Sequence, residues 1–103
     1  MTTTIDLTLH LPDDPNDMPA LVGDLRPVFP KTDALFNGRG IGADGAEGNN
    51  TIGDEVRKRL PAAVERRVVV DPEYSGFYAY GPDADLAVVR STIEAMHAEG
   101  WMA

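Results

Sequence analysis

The sequence has no cysteine. That excludes a disulfide framework, a thiolate zinc site and a cysteine nucleophile. No stretch approaches the roughly 18 consecutive apolar residues of a membrane span. The opening segment, MTTTIDLTLHLPDD, has no basic region and reaches an acid at Asp6, so neither a secretory signal nor a transit peptide is expected and a cytoplasmic location is the default. Histidine is confined to His10 and His97 and serine to Ser75 and Ser91, so a hydrolytic triad has few residues to draw on.

Basic charge is also scarce. Seventeen acids against nine bases give a net charge of −8, which disfavours duplex nucleic acid as a partner and favours a protein with a basic surface. The imbalance lies in residues 1–55, which hold 10 acids and 3 bases, whereas residues 56–103 are nearly balanced with 7 and 6. A length of 103 residues suits one domain, and hydrophobic and charged fractions of 43% and 25% are ordinary globular values. Seven arginines against two lysines fit a GC-rich bacterial or phage source.

Hydropathy patterning supplies the elements. Ile5, Leu7 and Leu9 alternate with Thr4, Asp6, Thr8 and His10, the period of a half-buried strand ended by Pro12. Asp13, Asp14 and Asp17 then read as helix-initiating turn chemistry, and Met18, Leu21, Val22 and Leu25 recur at helical spacing behind Pro19, predicting a short helix that stops before Pro27. A weak strand is expected over Thr32 to Asn37, followed by a glycine-rich loop over 37–53. Thr51 to Asp54 resembles a capping box, opening a helix with Val56, Leu60 and Val64 on one side and a bend at Pro61.

Val68 to Val70 and Phe77 to Tyr80 predict an antiparallel hairpin joined by Asp71 to Gly76. Asp83 and Asp85 read as the acidic cap of a final helix, with Leu86, Val89, Ile93 and Met96 on its apolar face and Gly100 at its end. This order predicts a single α+β domain over 1–103. Its architecture is a two-layer sandwich, with a small mixed or antiparallel sheet carrying about three helices on one face.

Candidate sites are sparse. Gly40, Gly42 and Gly45 spell the dinucleotide pattern G-x-G-x-x-G, but the expected absence of a following helix and the acids Asp44 and Glu47 argue against a phosphate site. The carboxylates and amides of that loop fit no calcium-loop spacing. The pair Asp83 and Asp85 is explained by capping before catalysis. No catalytic residue, metal site or cofactor is therefore assigned.

The basic cluster Arg57, Lys58, Arg59, Arg66 and Arg67 reads as a solvated helix face. Strand alternation puts Tyr78 and Tyr80 on one side and Phe77 on the other, and an uncovered tyrosine face would be a protein-binding surface. The expected role is a small acidic binding or inhibitory module of the immunity, antitoxin or phage counter-defence type. Its contact residues would be Asp13, Asp14, Asp17, Asp44, Glu47, Tyr78 and Tyr80. The alternatives are a homo-oligomeric assembly subunit, or a small enzyme or ligand-binding protein using loop carboxylates.

Overall fold

The computed structural model describes residues 5–25, 27–32, 46–73 and 76–103. In chain order its elements are β1 (Asp6–His10), β2 (Ala20–Asp24), α1 (Ala46–Arg59), α2 (Ala62–Arg67), β3 (Val69–Glu73), β4 (Gly76–Tyr80) and α3 (Asp83–Ala98). The four strands form one antiparallel sheet in the order β1-β2-β4-β3. With the three helices this is an α+β arrangement.

Alternation sorts the sheet into two faces. Leu7, Leu21, Val70, Phe77 and Ala79 point into the core, where they meet Ile52 and Val56 of α1, Val64 of α2, and Leu86, Val89, Ile93 and Met96 of α3. Burying each of the larger of these side chains stabilises the fold by about 1.5–3 kcal/mol before entropy is counted. The described helices therefore lie on one face of the sheet, α1 chiefly over β3 and α3 over β2 and β4.

The segment after Pro19 is a strand, not the expected helix. Leu21 and Leu25 fit both periods, and Gly23 occupies the inward position between them, so the alternation shows no side chain at its middle. The sheet decides the matter, because Ala20–Asp24 pairs with β1 on one side and β4 on the other. The aspartates before it accordingly cap no helix; residues 11–19 connect two antiparallel strands. Asp14 Oδ1 accepts a hydrogen bond from the Asn16 amide at 2.9 Å, which shapes that connection.

The loop expected over 37–53 is helical from Ala46 onward, so Gly48, Asn49 and Asn50 open α1 and Thr51 lies inside it rather than capping it. Ile52 and Val56, four residues apart and both fully buried, supply tertiary packing that outweighs the poor helix propensity of that first turn. Pro61 acts as expected, ending α1 at Arg59 and standing as N-cap of α2. Gly53 lets α1 approach β3 closely: a Cβ there would lie 2.9 Å from Pro72 Cγ.

Strand β3 runs through Asp71 and Pro72 to Glu73, residues expected in the connection. Pro72 is tolerated because β3 is an edge strand. The hairpin thus contributes one central and one edge strand. Beyond Thr32, which is helical, the weak strand of 32–37 lies outside the described residues. The turn over 27–32 instead buries Val28 and Phe29, with the Thr32 hydroxyl donating to the Phe29 carbonyl at 2.7 Å.

Helix α3 ends as the sequence indicates. Gly100, at φ 79°, follows the C-cap; its amide donates to the His97 carbonyl and the Trp101 amide to the Met96 carbonyl, the paired bonds of a Schellman motif. Trp101 folds back on the core, its ring 5.1 Å from Phe29 in an edge-to-face contact.

Candidate functional site

The sheet face opposite the described helices carries the residues left by alternation. Strand register arranges them in rows. His10, Ala20, Tyr80 and Val69 form one, and Thr8, Val22, Tyr78 and Asp71 the next. Asp6 and Asp24 pair at the far end, with Glu73 on β3. The tyrosines are half-buried and Val69 is 62% exposed.

The four strands contain Asp6, Asp24, Asp71 and Glu73 and no lysine or arginine, so this face combines aromatic and aliphatic surface with four carboxylates. Of these, the sequence singles out Tyr78 and Tyr80 as contact residues and Glu73 as a candidate carboxylate of the ligand-binding alternative. Asp6, Asp24, Asp71 and Glu73 carry the signal of period-2 alternation, but their shared face required the strand order.

The connection bearing Asp13, Asp14 and Asp17 is exposed and enters the sheet at the Tyr80 end, where the Pro19 carbonyl accepts from the Gly81 amide at 3.2 Å. Exposed Leu11 and Met18 flank these acids. Sequence-distant candidates are thereby brought to one end of the molecule. Glu47 is not in a loop but in the first turn of α1, which packs on the other face of the sheet, and Asp44 lies outside the described residues.

The basic cluster is largely consumed within the fold. Arg57 donates to Asp54 at 2.9 Å and to the Val70 carbonyl at 2.6 Å. Arg59 binds Glu55 at 2.6 Å and also Glu99, and Arg67 binds Asp85 through two bonds of 2.8 Å. Hydrogen bonds from these arginines hold the Asp85 and Glu99 carboxyls below the usual carboxylate range, against the opposing effect of burial. Lys58 and Arg66 remain exposed.

Asp83 and Asp85 both lie in the acidic first turn of α3, as the capping reading expects, although the N-cap position itself is Pro82. Asp83 Oδ1 accepts from the next amide at 2.9 Å, while Asp85 is buried against Arg67. A cleft of about 100 Å³ beside Asp83, lined by Leu9, Leu21, Leu86, Ala87 and Arg90, has room for one side chain rather than a cofactor. His10 lies on the sheet face opposite the described helices and His97 against Phe29, 6.4 Å between ring centres. Ser91 is exposed on α3. Among the described residues no group of three or more histidines and carboxylates is placed to hold a metal. No described helix is long and apolar enough to cross a membrane.

The glycines of the G-x-G-x-x-G pattern lie outside the described residues. A helix does follow them, contrary to expectation. What the described residues lack is the parallel strand pair of a dinucleotide-binding unit, since every pairing is antiparallel. Compared with known protein families, curated proteins and solved structures, the chain matches none of them.

Proposed function

We propose that this chain is a small acidic binding or inhibitory module that engages the basic surface of a partner protein through the open face of its sheet. The observation that carries the reading is the absence of lysine and arginine from all four strands, on a face bearing Tyr78, Tyr80, Asp6, Asp24, Asp71 and Glu73. Aromatic side chains provide contact area at low entropic cost, and one sign of charge steers the encounter. Asp13, Asp14 and Asp17 extend the acidic field at the Tyr80 end. The mode of action is that of small immunity, antitoxin or phage counter-defence proteins, which occlude a partner's basic site.

Assembly through sheet edges is disfavoured. Each edge strand gives a carbonyl to a helix arginine, Val70 to Arg57 and Leu7 to Arg90, and bulky charged groups at an edge obstruct strand addition. The test is capture of the partner from host lysate at low and high salt, with Asp6→Lys and Glu94→Lys variants in parallel. Both residues are exposed, but only Asp6 is on the open face. A partner released by high salt and lost by Asp6→Lys alone fits the reading. A partner indifferent to salt, or equally weakened by both variants, contradicts it.

A further inference from the structure

The open face distinguishes between two kinds of basic partner. Asp71 lies directly across the ladder from Tyr78, and Val69 across from Tyr80, so Asp71 neighbours one tyrosine directly and the other diagonally. Directly opposed side chains stand about 5 Å apart at Cβ and diagonal ones about 7–8 Å, so all three are within reach of one guest group. Asp71 is half-buried, and among the described residues its carboxylate has no hydrogen-bond or ion-pair partner. The other half-buried or buried aspartate of β3 or α3, Asp85, is by contrast fully engaged by Arg67.

Building on the acidic-binder reading, we propose that Asp71, Tyr78 and Tyr80 form a subsite for an arginine side chain of the partner, in preference to lysine. A guanidinium is planar and weakly hydrated, so it stacks on a phenol ring while its N–H groups donate to a neighbouring carboxylate. An ammonium is compact and strongly hydrated; it gains the charge attraction but gives up more hydration on reaching a ring. Val22, which flanks Tyr78 from β2, adds an apolar wall that favours the flatter group. No basic residue of the strands competes for the place.

The experiment is titration of the protein into labelled deca-arginine and deca-lysine at one low salt concentration, read by fluorescence anisotropy. The parent should bind deca-arginine roughly threefold or more tightly than deca-lysine. Asp71→Asn and Tyr80→Leu should each erase that difference. Glu94→Gln, which removes one acid from the helix layer, should weaken both peptides alike and keep it. Circular dichroism verifies that each variant is folded, and the two independent substitutions guard against the failure of one. Equal binding of the two peptides by the parent, or a preference that survives both substitutions, overturns the arginine subsite and leaves the acidic-binder reading standing. Binding of neither peptide overturns both.

Discussion

Arg67 donates two hydrogen bonds to Asp85, Nε to Oδ2 and Nη2 to Oδ1, and so ties the end of α2 to the first turn of α3. The contact crosses 18 residues of sequence, with the whole β3–β4 hairpin between its partners. Its carboxylate is buried while the guanidinium covers it from the solvent side.

The pair makes stability depend on pH in a definite sense. The folded-state pKa of Asp85 lies below its unfolded value, as does that of Glu99 beside Arg59. The stabilisation is therefore complete above the ordinary carboxylate range of about 4 and is lost as pH falls through the depressed values. Urea midpoints measured from neutral to strongly acid pH should be flat at first and then decline. Asp85→Asn should lower the neutral plateau and reduce the acid slope.

Phe29 joins the turn over 27–32 to α3 through His97 and to the C-terminal segment through Trp101. Phe29→Ala should cost about 3–5 kcal/mol, the usual range for a fully buried phenylalanine. Trp101 is the only tryptophan, so its emission should shift to the red in the native variant as its neighbour is removed.

Gly53→Ala should destabilise the protein even though alanine is the better helix former. The propensity gain is about 1 kcal/mol, whereas overpacking a rigid proline ring costs about 1–3 kcal/mol. The new Cβ would stand 2.9 Å from Pro72 Cγ. Thermal denaturation should show a lower midpoint for Gly53→Ala and a partial recovery when Pro72→Ala is added.

Arg57 and Arg90 each donate to a carbonyl of an edge strand, Val70 of β3 and Leu7 of β1, at 2.6 and 2.8 Å. Replacing both with alanine frees a carbonyl on each edge strand. Light scattering after size exclusion should give a higher mean mass for the double variant than for the parent at the same concentration.

Residues that repeat their environment locally were readable in advance. Leu7 alternates with exposed neighbours, Leu86, Val89, Ile93 and Met96 line one side of a helix, and Gly100 takes the φ of 79° that ends it. Each follows from a short-range rule of period or backbone sterics. Leu21 and Leu25 fit a helix and a strand equally, and only pairing with β1 and β4 selected the strand. Gly48, Asn49 and Asn50 argue locally against a helix, yet burial of Ile52 and Val56 carries the helix through them.

By itself, then, the sequence determined the acidic charge, the α+β composition, and which side chains of each clear strand or helix share a face, because these depend on neighbours a few residues away. Only the tertiary structure decided that Arg67 pairs with Asp85, that Arg57 and Arg90 each bond a carbonyl of an edge strand, and that Asp71 stands beside Tyr78. Those relationships depend on strand order and register, which join residues far apart in the chain through contacts no local pattern encodes.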